Sequence, residues 1–440
     1  MRIAMIGTGY VGLVSGVCFS DFGHEVVCVD RLADKVAALQ AGRVPIYEPG
    51  LEAMMARNVA AGRLSFTTDL AGAVAGADAV FIAVGTPARR GDGHADLQHV
   101  HAAAREIAPA LGGYTVVVIK STVPVGTNRA VARIIRETAP GADFDIVSNP
   151  EFLREGAAIE DFMRPDRVVV GADSDRARAV MAAIYRPLSL RDAPVVFMDI
   201  ESAELTKYAA NAFLAMKITF INEIAALCER VGADVQQVAR GIGLDRRIGP
   251  KFLHPGPGYG GSCFPKDTRA LARIGQEHAS ALKLVEKTIQ VNDEIKRAMV
   301  EKILDLCGGS VNGRRIAVFG VTFKPETDDM REAPALTIVP ALVGGGAEVR
   351  VVDPQGRKEG EALLPGVIWH EDPYAAARDA DAVVILTEWN AFRALDLDRL
   401  ARGMRKPRMA DLRNVYDPAM ARAAGFAYVG VGRGISPASA

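Results

Sequence analysis

Arg2-Ile3-Ala4-Met5-Ile6-Gly7-Thr8-Gly9-Tyr10-Val11-Gly12 opens the chain and decides how the rest is read. The run Arg2–Ile6 has the pattern of a strand buried in a parallel sheet. It enters three glycines spaced G-x-G-x-x-G, at Gly7, Gly9 and Gly12. A small-residue helix is expected next, to about Phe22. A second strand, Glu25–Val29, ends at Asp30. A strand before the glycines, a helix after them and an acid closing the second strand give the motif its dinucleotide-binding context. The helix N-terminus offers N–H groups and a positive dipole end to a pyrophosphate. A carboxylate at Asp30 would accept hydrogen bonds from ribose hydroxyls and repel a 2′-phosphate. That favours NAD, although Arg31 beside it keeps NADP open. The competing reading is a glycine-rich turn that holds no nucleotide.

Further strand–helix units follow. Ala79–Val84 ends at Gly85-Thr86-Pro87, and Thr115–Lys120 ends at Ser121-Thr122. Both ends are expected on the carboxyl edge that carries the glycine loop, where open α/β sheets bind ligands. Thr86 and Thr122 are therefore candidates to touch the cofactor or a reacting hydroxyl; alternatively they are ordinary loop punctuation. Arg89-Arg90-Gly91-Asp92-Gly93 reads as an exposed polar loop. His94, His99 and His101 make no metal set, since the last two lie at i,i+2 and share no helix face. Ile146–Gly156 closes the first domain and carries Glu151 and Glu155 on either side of Arg154. Two carboxylates in that place suggest a general base near a thiol, or simply the solvated start of a helix.

Residues 201–231 are rich in Ala, Leu and Ile, hold no Pro or Gly, and stop at Gly232, which predicts one long helix. Lys207 and Asn211 stand at i,i+4 and share a face. On so apolar a helix they are either a wet edge or a pair of functional groups. The helix is expected to span the domains and to pack against a second copy of the chain. Beyond it lies Gly258-Tyr259-Gly260-Gly261-Ser262-Cys263-Phe264-Pro265-Lys266-Asp267. Pro265 suits a first helical turn. Cys263 is thus placed just ahead of a helix N-terminus and close to Lys266, and both features favour the nucleophilic thiolate. The plainer alternative is a structural cysteine in a tight turn.

A boundary near Gly308-Gly309 precedes three more strand patterns, Arg315–Gly320, Glu348–Asp353 and Ala382–Leu386. Their alternation with helices predicts a second doubly wound domain. Its first turn lacks the glycine fingerprint and offers Lys324 and Arg331, with Arg413 further on. Cations of this kind suit a nucleotide diphosphate or are ordinary surface charges. The fold class expected is α/β: two Rossmann-like doubly wound domains joined by a long central helix. The expected division is 1–200 for cofactor binding, 201–308 for the long helix, dimerisation and the cysteine loop, and 309–440 for the nucleotide sugar. Residues 432–440 read as a loose tail.

The 440 residues carry a formal net charge of −1. Nothing in that balance points to nucleic acid or to acidic lipid. No apolar run is expected to reach the length of a membrane span. Five scattered cysteines without CxxC spacing suggest reduced thiols in a cytosol, with no disulfide framework or zinc site. No basic leader is expected ahead of the first strand.

Taken together, Gly7-x-Gly9-x-x-Gly12, Gly85-Thr86-Pro87, Ser121-Thr122-Val123-Pro124, Asn149-Pro150-Glu151-Phe152-Leu153-Arg154-Glu155, Gly260-Gly261-Ser262-Cys263 and Phe323-Lys324-Pro325-x-Thr327-Asp328-Asp329-Met330-Arg331-Glu332 carry a resemblance. In order, and over nearly the whole length, the chain resembles the UDP-glucose/GDP-mannose dehydrogenase family. Tyr259 with Phe264–Asp267 is similar to the UDP-glucose branch; relatives acting on N-acetylated sugars usually have His where Ser262 stands.

The resemblance implies a four-electron oxidation of C6 of UDP-glucose to UDP-glucuronate, with two NAD consumed in turn. It implies that Cys263 forms a thiohemiacetal and then a thioester. Lys207 and Asn211 would stabilise developing negative charge, Thr122 and Asp267 would handle protons through a water, and Glu151 would be the base for hydrolysis. Cofactor contacts are implied for Gly7, Gly9, Val11, Gly12, Asp30, Lys35, Thr86, Thr122, Glu155, Lys266 and Arg331. Sugar-nucleotide contacts are implied for Glu151, Phe152, Leu153, Arg154, Glu155, Lys207 and Asn211. They are also implied for Phe252, Leu253, His254, Pro255, Gly256, Gly260, Lys324 and Arg413, with Arg247 reaching in from a partner subunit. The alternatives are the same chemistry on GDP-mannose or a UDP-N-acetylhexosamine, a two-electron dehydrogenase of the 6-phosphogluconate type, and a non-catalytic nucleotide-binding protein.

Overall fold

The computed structural model describes residues 1–89, 93–190 and 193–433. Arg90, Gly91 and Asp92 of the expected exposed loop, and residues 434–440 of the expected tail, lie outside the described residues. The chain forms two compact units, Met1–Ala210 and Asn211–Ala440.

The first unit is built on eight strands: β1 (Arg2–Ile6), β2 (Glu25–Val29), β3 (Leu64–Thr67), β4 (Ala79–Ile82), β5 (Thr115–Ile119), β6 (Phe144–Ser148), β7 (Val168–Ala172) and β8 (Val195–Met198). Their order across the sheet is β3-β2-β1-β4-β5-β6-β7-β8. The strands from β3 to β6 run parallel, in the doubly wound order whose switch point lies between β1 and β4. β7 then pairs antiparallel with β6, and β8 runs parallel to β7. Side chains alternate between the two faces. Ile3 and Met5 therefore join Phe19 and Phe81 in one core, while Ala4 and Ile6 join Val80 and Ile82 in the other. All five residues of β5 are buried. Each Val or Ile so removed from water is worth roughly 1.5–3 kcal/mol, so a strand with apolar residues on both faces settles in the middle of the sheet.

The second unit repeats the plan with β9 (Arg315–Phe319), β10 (Glu348–Val352), β11 (Ile368–Trp369), β12 (Ala382–Ile385), β13 (Arg408–Asp411) and β14 (Ala427–Gly430). All are parallel, in the order β11-β10-β9-β12-β13-β14. Its first turn departs from the dinucleotide form. Asp353, the acid after β10, accepts from Val321 N at 2.6 Å and Thr322 N at 3.1 Å, and also from Gln355 N and Gly356 N. Asp353 thus reaches back to the turn after β9, and the departure lies in the missing second and third glycines of Gly320-Val321-Thr322-Phe323-Lys324-Pro325.

One helix, Ile200–Val231, runs for 32 residues through the division between the units. Gly232 follows it with φ +74°, a conformation in which a Cβ would be strained. By length and composition this helix is long and apolar enough to cross a membrane, which corrects the expectation that no segment reaches that size. Its charges are spaced widely enough to leave the stretch around Tyr208–Ile221 nearly uncharged. Early in the helix, Glu204 is committed to protein: its buried carboxylate accepts from Gly126 N at 2.7 Å and Asn128 N at 2.8 Å.

Candidate functional site

In the first unit the glycine turn is built by close approach. Gly7 sits at φ +99°, and a Cβ on Gly12 would fall 2.0 Å from Gly7 O. Only hydrogen fits there. Gly9 lies at the N-cap of the helix Tyr10–Asp21, with nothing within 4 Å of where its Cβ would be. The helix start is thus open to a phosphate group. Asp30 reaches back to this turn. Its Oδ2 accepts from Thr8 N at 3.1 Å, Thr8 Oγ1 at 2.6 Å and Lys35 Nζ at 2.9 Å. Burial pushes its carboxyl up, but the hydrogen bonds from Thr8, Lys35 and Leu32 N outweigh this and hold it down at about 2. Gly7, Gly9, Gly12, Asp30 and Lys35 are therefore brought together, with Val11 half-buried in the first turn of the helix. This cradle fits a dinucleotide.

The carboxyl edge of the same sheet gathers more of the expected residues. The Thr86 hydroxyl donates to Thr122 O at 2.9 Å, joining the loops after β4 and β5. After β6, Glu151 is buried, and its Oε1 lies 3.2 Å from Lys207 Nζ, which is buried too. Glu151 Oε2 accepts from Leu153 N at 2.6 Å. The Phe152 ring lies beside both cations of this corner, 5.2 Å from Lys207 Nζ and 3.7 Å from the Arg167 guanidinium carbon. Leu153 and Glu155 are half-buried. Arg154 turns aside to a two-point pair with Asp161, at 2.6 and 2.9 Å.

In the second unit Cys263 occupies the N-cap of the helix Phe264–Glu277, with Pro265 in its first turn. It is half-buried, whereas Cys18, Cys28, Cys228 and Cys307 are all buried. Burial pushes the Cys28 thiol up to about 12, which leaves it inert. Ser262 Oγ lies 3.5 Å from Cys263 Sγ. One turn into the helix, Asp267 is 1% exposed and accepts from Asn211 Nδ2 and from Lys266 Nζ, both at 2.6 Å. The cysteine loop leaves no room for side chains. A Cβ on Gly260 would lie 2.4 Å from Glu332 O, and one on Gly261 would lie 2.8 Å from the Phe323 ring.

The other expected sugar-nucleotide residues of this unit fall in two groups. Gly256 lies against Arg413, whose guanidinium donates to Leu386 O at 2.7 Å and Phe323 O at 2.9 Å and pairs with Glu388. Lys324 Nζ stands 5.4 Å from the Phe323 ring. Phe252, at φ +65°, has its ring 6.0 Å from that of Phe264, and Leu253 and Pro255 are buried nearby in sequence. His254 and Arg247 are exposed, and Arg247 makes a two-point pair with Asp245. The Arg331 side chain is 64% exposed and pairs with Asp329.

Two supporting contacts escaped the sequence reading. The Tyr10 hydroxyl donates to Glu48, which also accepts from Gly156 N at 2.7 Å and Ala158 N at 2.8 Å. This ties the glycine-turn helix to the segment after Glu155. Burial, reinforced by Glu48 as acceptor, pushes the Tyr10 hydroxyl far up. In the second unit Asn292 grips the backbone of Tyr259, accepting from its N–H at 2.8 Å and donating to its C=O at 3.1 Å. Thr288, Asn292 and Lys296 form a buried polar stripe at four-residue spacing, and that spacing was the available signal.

Comparison with known proteins agrees with this geometry. Residues 1–189, 201–294 and 317–418 match the models of the NAD binding, central and UDP binding domains of the UDP-glucose/GDP-mannose dehydrogenase family. The UDP-glucose 6-dehydrogenase of Rhizobium meliloti is 62% identical, over 98% of this chain and all of that protein. UDP-glucose 6-dehydrogenase TuaD of Bacillus subtilis is 48% identical, over 98% and 93%. The solved structure of a UDP-glucose dehydrogenase from the archaeon Pyrobaculum islandicum superposes with a TM-score of 0.91 at 41% identity, covering 98% of each chain. The chain belongs to the UDP-glucose/GDP-mannose dehydrogenase family.

Proposed function

We propose that this protein is a UDP-glucose 6-dehydrogenase, which oxidises UDP-glucose to UDP-glucuronate with two NAD+. The observation that carries this reading is the half-buried Cys263 at a helix N-terminus, in a chain 62% identical to an enzyme of that name. Bound NAD+ supplies a hydride acceptor for each of the two oxidations.

The residues divide the work. In the first oxidation the C6 hydroxyl loses its proton through a water held by Thr122 and Asp267, and C6 loses a hydride, which leaves an aldehyde. The Cys263 thiolate adds to the aldehyde carbon, and the oxygen takes up a proton to complete a thiohemiacetal. Loss of a second hydride and of that proton gives a thioester. Water, activated by Glu151, attacks the thioester and releases the carboxylate and the free thiol. Lys207 and Asn211, one turn apart on the central helix, stabilise the oxygen charge that develops in these steps. The aldehyde stays bound to sulfur throughout, so it does not escape as its hydrate.

The remaining assignments follow the same reading. NAD is held by Gly7, Gly9, Val11, Gly12, Asp30, Lys35, Thr86, Glu155, Lys266 and Arg331. The sugar nucleotide is held by residues 151–155 and 252–256 with Gly260, Lys324 and Arg413, and Arg247 is contributed to a partner subunit. The functional division is 1–200, 201–308 and 309–440. The protein works in the cytoplasm as a homodimer. Supporting the dimer, Phe213, Phe220 and Leu227 stand exposed at seven-residue intervals along the central helix. That spacing keeps one stripe facing a partner helix, and a protein partner accounts for the apolar surface without a membrane.

The test is activity of the purified protein on a panel of UDP- and GDP-sugars. UDP-glucose is expected to be turned over with the highest kcat/KM. A higher value for GDP-mannose or a UDP-N-acetylhexosamine would overturn the assignment.

A further inference from the structure

The strand register sets five residues in a row at the carboxyl edge of the first sheet. Ile6 pairs with Val29 and Ile82, Ile82 with Ile119, and Ile119 with Ser148. The residues that follow these partners are Asp30, Gly7, Ala83, Lys120 and Asn149. Asp30 and Gly7 belong to the dinucleotide turn. Lys120 and Asn149 lie at the other end of the row, and no role has been given to either.

Lys120 is 3% exposed. Its ammonium donates to Asn149 Oδ1 at 3.1 Å, Asn149 O at 3.4 Å and Tyr185 OH at 3.3 Å. It also lies over the rings of Phe162 and Tyr185, at 5.8 and 6.0 Å. Among the described residues it has no carboxylate at ion-pair distance. A buried ammonium with only neutral acceptors is costly to keep, which argues that its charge serves something. Asn149 is held in turn by Tyr185 OH, which donates to Oδ1 at 2.6 Å, and by its own Nδ2, which donates to Val169 O at 2.8 Å. Two residues later comes Glu151. The charges that act on Lys120 are those of Glu151, which favours its ammonium form, and Lys207, which opposes it. Burial lowers the Lys120 pKa to about 8.

We propose that Lys120 is a positioning residue for the Glu151–Lys207 pair: through its hydrogen bonds to the backbone and side chain of Asn149 it fixes the turn that carries Glu151. The inference rests on the roles given above to Glu151 and Lys207. A carboxylate held out of place slows the step it serves without touching the dinucleotide turn, so kcat falls while NAD binding holds.

The experiment compares wild type with Lys120→Met, which loses the hydrogen bonds to Asn149, and with Lys120→Arg, which can still donate them. kcat and KM are measured with UDP-glucose and NAD+, and acyl-enzyme present during turnover is measured by intact mass. The expected result for Lys120→Met is a kcat lowered roughly tenfold or more with acyl-enzyme accumulating, and a KM for NAD+ within about twofold of wild type. Lys120→Arg should recover most of the loss. A kcat near wild type in Lys120→Met, or a lowered kcat with no acyl-enzyme accumulating, overturns the proposal, whatever happens to the melting temperature. If Lys120→Met does not fold, Asn149→Ser removes the side-chain acceptor while leaving the lysine; it should lower kcat in the same way, and an unchanged kcat overturns the proposal. Glu151→Gln separates the two readings. If it accumulates no acyl-enzyme, the role of Glu151 fails; if it does while the Lys120 and Asn149 variants behave as wild type, only the present inference fails.

Discussion

Lys207 Nζ lies 3.2 Å from Glu151 Oε1, and the two side chains are only 3% and 6% exposed. A pair this deep is costly to split. Removing one partner strands the other charge, typically at about 3–5 kcal/mol. Lys207→Ala should lower kcat by roughly a hundredfold or more while NAD still binds, because the dinucleotide turn is held by Gly12, Thr8 and Asp30. Steady-state rates with a parallel NAD titration check this; a rate near wild type would remove the electrostatic role. Glu151→Gln should instead slow the last step, giving a burst of NADH followed by a bound acyl-enzyme visible by intact mass.

Cys263 is the one cysteine of the five that is not buried. Cys263→Ser should support at most slow oxygen-ester chemistry and collect a stalled acyl intermediate, again read by mass. Full activity in this variant is incompatible with a covalent step. Alkylation of the wild-type protein should label Cys263 before the others, since burial pushes a thiol such as Cys28 up to about 12 and keeps it protonated.

Asp30 has its carboxyl lowered from 3.8 to about 2 in the folded chain. A depressed value contributes stability that is present above the unfolded pKa and lost as pH falls through the folded one. The wild-type melting temperature should therefore drop between about pH 4 and pH 2, and Asp30→Asn should flatten that part of the curve. The same variant should weaken NAD binding by roughly tenfold or more and narrow the preference for NAD over NADP. An acid limb of unchanged steepness would show that Asp30 is not held as described.

Phe213, Phe220 and Leu227 are each about half exposed on the central helix. Phe220→Glu places a charge in the middle of that stripe. Sedimentation of wild type should give twice the chain mass, and the variant should shift toward the monomer. A wild-type monomer at micromolar concentration would contradict the homodimer.

Much of this was legible in the chain. The boundaries of β1 and β2 could be read from Arg2–Ile6 and Glu25–Val29, because an apolar run closed by Gly7 and by Asp30 admits little slippage. The central helix was legible to within a residue, because Gly232 is a stop and nothing before it interrupts the pattern. β3, β7, β8, β11 and β14 were not read. β3 alternates as Leu64-Ser65-Phe66-Thr67 and β7 is a fully buried run as long as β1, so their signals were present and passed over; β8 is a short, mostly half-buried strand and β11 has two residues, so little marks them. Cys263, Lys207 and Asn211 stood out because a thiol among glycines and polar groups on an apolar helix are locally odd. Asn292, Glu48 and Lys120 did not. Each acts through a fold-level neighbour, Tyr259, Gly156 or Asn149, that lies 33, 108 or 29 residues away.

The central claim is that sulfur holds a half-oxidised sugar between two hydride transfers. Counting NADH against product with UDP-glucose as substrate tests it most directly. Two NADH per UDP-glucuronate, with no free aldehyde trapped by hydroxylamine during turnover, is the predicted result. One NADH per sugar, or release of the aldehyde into solution, would contradict it.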